Sequence, residues 1–315
     1  MQVEKSLLLG RSERIQWKMS ESPLRLRFQQ LDVFTTRPLE GNPLAVFPDA
    51  RGLRDEQMQA IAREMNLSET TFIFPREAHQ EAESGVRVRI FTPTEELPFA
   101  GHPTLGTAFA LRGKSPETIV RLELNVGTVP VRFEDPPGSA AFGEMTQPEP
   151  VFREVHNRYK VAEVTGIAPD DIDSQLPIQT VSTGVPFTVL PLRSLAAAER
   201  LAVSQAWACA YLEAANSRFF YYVSREAVDP AARLHARMLF GGGEDPATGS
   251  AAGCAAAWMV EYGVAQPEER VLIEQGLEIK RASRIFVRAS RRNDRVVNVR
   301  VGGNVVEVLR GEIFF

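Results

Sequence analysis

Two stretches of this chain consist almost wholly of small and apolar residues, and each opens on the same short pattern. Pro98-Phe-Ala-Gly101-His102 leads into Pro103–Leu111, and Pro246-Ala-Thr-Gly249-Ser250 leads the stretch Ala247–Val260. The two prolines stand 148 positions apart, about half of the 315 residues, and a glutamate, Glu96 or Glu244, lies two positions before each. Both stretches read as helices, the first with Pro103 at a helix-start position. A helix that is apolar on every face has none to offer water, so other structure must enclose it. Length alone favours two domains. The repeat of a strand–loop–helix context at half-chain spacing turns that into an expectation of two similar halves.

Strand-like segments supply the enclosure. Leu24–Phe34 alternates Leu24, Leu26 and Phe28, and Leu44–Phe47, Thr70–Phe74, Ser84–Phe91, Ile119–Leu124 and Gly127–Phe133 follow as strands. Arg54–Leu67 places Met58, Ile61, Ala62 and Met65 at helical spacing. The proline-rich segment Asp135–Pro150 is the expected linker. Beyond it, Tyr159–Thr165 reads as a short helix, Val181–Leu192, Phe219–Val223 and Ala236–Phe240 as strands, and Val271–Phe315 as strand-rich with turns at Gln275-Gly276 and Gly302-Gly303. The expected fold is α+β: two similar domains, each a β-barrel-like sheet wrapped around a central apolar helix. The first half is expected over 24–140 and the second over 141–315, the last strands being free to pack back on the first half. Residues 1–23 lack periodicity and read as an amino-terminal extension, with Met19 a candidate start and a transit peptide the alternative.

Composition narrows the function. A net charge of −4 and a pI near 5.8 provide no basic footprint for nucleic acid, and Arg288, Arg291, Arg292 and Arg295 read as solvated surface. No apolar run reaches the roughly 18 residues of a membrane span. Two cysteines, Cys209 and Cys254, make neither a disulfide framework nor a four-cysteine zinc site, and both read as core. His79, His156 and His235 have no metal-ligand spacing, and His235 reads as a strand-edge or surface residue. No metal and no cofactor are expected, and a cytoplasmic enzyme or ligand binder is.

If two similar halves bring the helix starts together, their free N–H groups and dipoles favour an anion such as a carboxylate. Gly101 and Gly249 would let backbone approach it closely, and Ser250 would add a hydroxyl; tight helix packing accounts for the same glycines equally well. Glu69, between a helix end and the apolar run Thr70–Phe74, is either a solvated helix-end charge or a desolvated carboxylate suited to proton exchange. His102 and Asp245 are each either helix caps or acid–base partners.

Several longer motifs, in order, resemble the PhzF-like family of phenazine-biosynthesis isomerases, within the diaminopimelate-epimerase-like fold. They are Asp32-Val-Phe-Thr35 with Gly41-Asn-Pro-Leu-Ala-Val-Phe47, Asn66-Leu-Ser-Glu-Thr-Thr-Phe72, Ile90–Gly106, Glu244-Asp-Pro-Ala-Thr-Gly-Ser-Ala-Ala-Gly253, Gln275-Gly276 and Ser283-Arg-Ile285. The resemblance runs from about residue 24 to the carboxyl end. It implies that Glu69 carries a proton, that His102 and Asp245 assist, and that Gly101, Gly249, Ser250 and Asn42 bind a small carboxylate substrate. It also implies a homodimer and cofactor-free proton relocation, the best-known family substrate being trans-2,3-dihydro-3-hydroxyanthranilate. Related racemases use two cysteines near the helix starts, where this chain has Ala100 and Thr248. The alternative to an isomerase is a non-catalytic carboxylate-binding or regulatory protein that keeps the cleft.

Overall fold

The structure is a computed structural model that describes residues 24–113, 115–134, 141–203, 205–241 and 243–315, with backbone alone at 205–207. The expected extension over 1–23, and residues 135–140 of the expected linker, lie outside the described residues. The first half of the chain forms β1 (Arg25–Val33), β2 (Asn42–Phe47), α1 (Asp55–Met65), β3 (Glu69–Phe74), α2 (Ala78–Ser84), β4 (Val86–Phe91), β5 (Glu96–Leu97), α3 (Gly101–Arg112), β6 (Ile119–Leu124), β7 (Gly127–Phe133) and β8 (Phe142–Thr146). The second forms β9 (Val151–His156), α4 (Arg158–Thr165), β10 (Ile178–Ser182), β11 (Pro186–Leu192), α5 (Leu195–Glu199), α6 (Gln205–Ala214), β12 (Phe219–Ser224), β13 (Ala232–Arg237), β14 (Leu239–Phe240), β15 (Gly243–Glu244), α7 (Gly249–Glu261), β16 (Val271–Gln275), β17 (Ser283–Arg292) and β18 (Arg295–Phe314).

One continuous sheet makes both enclosures. Strands β1, β2, β3, β4, β6, β7, β8 and β18 pair in that order, and β18 returns to β1, which closes a barrel around α3. From the same β18 the sheet runs on through β17, β16, β13, β12, β11 and β10 to β9 and curls around α7. The 20-residue β18 therefore belongs to both: residues 300–304 pair with β8, and 305–314 pair with β1 from Val33 back to Arg25. A strand shared this way joins the last residues of the chain to the first strand.

Both central helices are enclosed, as an all-apolar helix requires. Every residue of α7 from Gly249 to Val260 is buried, as are Gly101–Ala108 of α3. Trp258 resolves its one polar atom inside the core by donating from Nε1 to the Pro177 carbonyl at 3.0 Å. Outside the first barrel, α1 lays Met58, Ile61 and Ala62 on Phe47 and Phe72; outside the second sheet, α4, α5 and α6 cover Leu190, Phe220 and Tyr222.

Several sequence expectations are corrected here. Gly302-Gly303 is not a turn but the middle of β18, and the turn comes at Asn293, with φ 54°. The glycines are there for close approach: a Cβ on Gly302 would lie 2.6 Å from the Gly143 carbonyl oxygen across the ladder. Gly302→Ala is expected to pry β8 from β18 and cost about 1–3 kcal/mol; an unchanged urea midpoint would rule that approach out. Residues 142–146, assigned to the linker, form β8, because β7 and β18 supply partners on both sides. Cys209 is exposed, whereas Cys254 is buried as expected. Arg288 is not solvated surface: it forks onto the buried Glu144. His235 is buried between two glutamates rather than at a surface.

Candidate active site

The starts of α3 and α7 meet head to head where the two enclosures join. A Cβ on Gly101 would fall 2.6 Å from the Gly249 carbonyl carbon and 2.7 Å from the Ser250 nitrogen. Ala100 and Thr248 are the N-cap residues, and neither side chain caps its helix. Two first turns thus bring backbone N–H groups to one place without side-chain acceptors, which suits an anion. Gly101, His102, Gly249 and Ser250 all belong to these turns. Phe34, held at φ 67° and fully buried, packs against Gly249 and Gly303 and fills the wedge beside them.

Glu69 is the first residue of β3. Helix α1 ends in a left-handed Asn66, φ 49°, which turns the chain so that Leu67 and Ser68 deliver Glu69 into the sheet opposite Leu44. Its side chain retains 15% exposure, and Oε2 lies 3.4 Å from Nε2 of His102, which retains 4%. Neither of those two atoms has a hydrogen-bond partner. The His102 ring is bonded to the Pro43 backbone. Proline offers only a carbonyl, so that ring nitrogen donates and Nε2 keeps its lone pair facing Glu69. Burial pushes the His102 pKa down to about 3, so the ring is neutral near pH 7. Burial, reinforced by the negative charge of Asp245 and partly countered by Arg218, pushes the Glu69 carboxyl up to about 8.

Asp245 comes from the other half, just after the β14–β15 hairpin, yet residues of both halves hold it. Thr248 Oγ1 donates to Oδ2 at 2.6 Å, while Asn42 Nδ2 and Ser68 Oγ donate to Oδ1 at 2.8 and 3.4 Å. Burial raises its pKa to about 6 although these bonds pull it down. With Glu69 so near, the two carboxylates lose their protons as a pair rather than singly. The Asn42 amide also donates to the Ala247 carbonyl at 2.9 Å, and its buried Oδ1 has no partner. The loop before Asn42 is pinned by Arg281, which bonds Asp32 at 2.7 Å and the Gly41 carbonyl at 2.8 Å. Gln275 completes the frame: Nε2 donates to the Asp245 carbonyl at 2.8 Å, and Oε1 accepts from the Thr248 N–H at 3.1 Å.

The fold therefore brings together all seven singled-out residues: Glu69, His102, Asp245, Gly101, Gly249, Ser250 and Asn42. Neither capping alternative holds, since Asp245 accepts from the cap residue Thr248 and His102 lies within the first turn of α3. Nor is Glu69 a solvated helix-end charge. Sequence reasoning missed Ser68 and Arg218. Ser68 stood beside Glu69 in a quoted motif, but Arg218, paired with Glu95 across the join, carries no local signal. The two thiols do not meet here, Cys254 being buried in α7 and Cys209 exposed on α6. Among the described residues no group of three or more His, Cys, Asp and Glu is arranged to hold a metal, and no helix is long and apolar enough to cross a membrane.

The chain is similar to known proteins over most of its length. Residues 31–311 match the family described as phenazine biosynthesis-like protein, PhzC-PhzF. The trans-2,3-dihydro-3-hydroxyanthranilate isomerase of Pseudomonas chlororaphis is 38% identical over 90% of this chain and 97% of its own length. A protein of Mesorhizobium japonicum described as an uncharacterized isomerase is 39% identical over 90% of this chain and 97% of its own. The crystal structure of a Bacillus anthracis phenazine biosynthesis protein of the PhzF family superposes with a TM-score of 0.83 at 27% identity, covering 93% of this chain and 100% of that one. With that match over nearly the whole chain, and two carboxylates and a neutral histidine gathered at paired helix starts, the chain belongs to the phenazine biosynthesis-like (PhzC-PhzF) family and is an isomerase of the acid–base kind.

Proposed function

We propose that this isomerase moves a proton between two carbons of a small cyclic carboxylate, and that trans-2,3-dihydro-3-hydroxyanthranilate is the first substrate to test. One observation carries the reading: the Glu69 carboxyl, held near 8 by burial, lies beside the converging starts of α3 and α7. A proton carrier works best when its pKa lies near the working pH, because it must both take and return the proton.

In this reading the N–H groups at Gly101, Gly249 and Ser250, with the free Asn42 Oδ1, hold the substrate's carboxylate and adjoining polar group. Glu69, as carboxylate, removes the activated C–H proton. The electron pair left behind shifts into the adjoining double bond, and Glu69, whose carboxyl proton exchanges with solvent through its remaining 15% exposure, delivers a proton at the far end of the conjugated system. His102, neutral, orients substrate and Glu69 through its bare Nε2. Asp245 handles the adjoining polar group. No other species is consumed. We place the halves at 24–140 and 141–315, with β8 and the end of β18 packing back on the first barrel and the site at the seam, and propose a cytoplasmic homodimer.

Incubating the protein with trans-2,3-dihydro-3-hydroxyanthranilate in D2O, followed by proton NMR, tests this. Isomerisation with deuterium at the receiving carbon supports it. Binding of the carboxylate in a calorimeter with no exchange would replace it with a non-catalytic binder.

The acting form of Glu69 is the carboxylate, so kcat/KM is expected to rise with pH through about 8. Arg218 favours that carboxylate, so Arg218→Gln is expected to shift the rising limb to higher pH and lower the activity at pH 7. A limb that stays in place would remove Arg218 from the electrostatics of Glu69.

A further inference from the structure

Among the buried ionisable groups that the reaction as described leaves unused is a cluster centred on His235. His235 on β13 is 1% exposed, and each ring nitrogen lies 2.8 Å from a carboxylate oxygen, Nδ1 from Glu274 on β16 and Nε2 from Glu278 in the turn after it. Glu274 already accepts the Val228 and Asp229 backbone N–H groups, both at 2.7 Å. With ionised carboxylates on both sides acting only as acceptors, both ring nitrogens donate, and the imidazole is an imidazolium. Arg237, two residues along the same strand, forks onto Glu244 at 2.9 and 2.6 Å and stands 3.6 Å from Glu278. Oε2 of Glu278 is buried with no partner.

The surroundings add few other charges. Strand β12 places the uncharged Ser224 opposite His235, and Tyr222 opposite Arg237 with its phenol kept protonated by burial. The carboxylate of Asp229 is engaged with Arg284. Two cations thus face three carboxylates, Glu244, Glu274 and Glu278. Removing the imidazolium proton would leave this buried group short of positive charge, the situation in which a buried pair becomes costly.

What makes the cluster bear on the reaction is where it grips the chain. Glu244 immediately precedes Asp245, and Glu274 immediately precedes Gln275, whose side chain bonds Asp245, Thr248 and Tyr221. We propose that His235 is a positioning residue for the isomerase. Its imidazolium, clamped by Glu274 and Glu278, fixes the Glu244–Asp245 and Glu274–Gln275 dipeptides, and through them the Asp245 carboxylate and the first turn of α7. This rests on the reading of Asp245 as a site residue. Burial alone would lower the pKa of His235, but the hydrogen bonds and charges of Glu278 and Glu274 outweigh it and raise it above 6.5. While the carboxylates are ionised, the clamp is therefore complete below 6.5 and is lost as pH rises through that raised value.

The test has two arms. In isotope-labelled Glu69→Gln protein, where Asp245 at about 6 is the other group titrating near neutrality and is kept in both variants, the His235 ring, the Thr248 amide and the Gln275 side-chain amide are followed by NMR against pH. A shared midpoint above 6.5 is expected, absent once His235→Gln is added. Thr248 and Gln275 signals that ignore the ring's titration would overturn the proposal, whether or not the protein turns over any substrate. In the otherwise unaltered enzyme, His235→Gln is expected to lower kcat about tenfold or more, with KM within about threefold, because a small misplacement acts on the chemical step. His235→Gln/Glu278→Gln, which restores the charge balance, should recover part of the loss. A folded His235→Gln enzyme with unchanged kcat and pH profile would reduce His235 to a purely structural role.

Discussion

Glu69→Gln is expected to cut isomerisation and solvent-deuterium incorporation by about 10²–10⁴-fold, the usual contribution of a positioned proton carrier. Glutamine keeps the shape beside His102 but cannot take up and give back a substrate proton, so the protein should still fold and bind a carboxylate. Stability should respond in the opposite direction to activity. The Glu69 carboxyl binds its proton more tightly when folded, near 8, than its ordinary value of 4.5. Its contribution is fully present below pH 4.5 and is lost as pH rises through about 8, because the folded state must then bury a charge. The glutamine variant escapes that loss. It should match the parent near pH 4 and exceed it by roughly 2 kcal/mol or more at pH 8.5, at about 1.4 kcal/mol per pKa unit. Urea midpoints at the two pH values measure this. Full exchange activity in the variant would end the assignment of Glu69 as carrier, and an unchanged stability difference would show that its carboxyl is not desolvated.

Gly101→Ala is the second large effect. The new methyl would meet only backbone: the Gly249 carbonyl carbon at 2.6 Å, the Ser250 nitrogen at 2.7 Å and the Gly249 Cα at 2.8 Å. None of these can rotate away, so the two helix starts must part. Parting them widens the cradle and draws Asp245 from Glu69. An ångström of misplacement costs about a hundredfold in rate, and overpacking adds about 1–3 kcal/mol of destabilisation. Gly249→Ala should be milder, since its Cβ would stand 3.0 Å from a Phe34 ring carbon and 3.2 Å from Gly101 Cα. Equal activity in Gly101→Ala and the parent enzyme would mean that the contact is not part of the site.

Particular residues show what local pattern can carry. Gly101 and Gly249 were legible as helix-start glycines, but whether they served packing or binding was undecidable from spacing. The structure shows the packing, the two backbones touching at Gly101 and Gly249, and the proposed function adds the binding, through the N–H groups of the same first turns. Glu69 and Asp245 lie 176 positions apart in sequence, and only the pairing of β2 with β3, and of Asn42 with Asp245, makes them neighbours. His235 was misread because nothing nearby in sequence announces Glu274 and Glu278. The strand β9 and helices α2, α5 and α6 were missed for a related reason: β9 is a largely exposed edge strand, and α2 buries no residue, so neither carries an apolar period.

By itself the sequence determined that two small, all-apolar helices must be enclosed, that strands would enclose them, and which motif residues were candidates. Those are consequences of short-range periodicity and of the cost of exposing apolar surface, and both are written within a dozen residues. Tertiary structure alone decided that β18 closes one barrel and continues the other sheet, that the helix starts touch, and that Glu69 is desolvated beside a neutral His102. Strand pairing and burial are set by partners far along the chain, and a carboxylate's proton affinity depends on what surrounds it rather than on what precedes it.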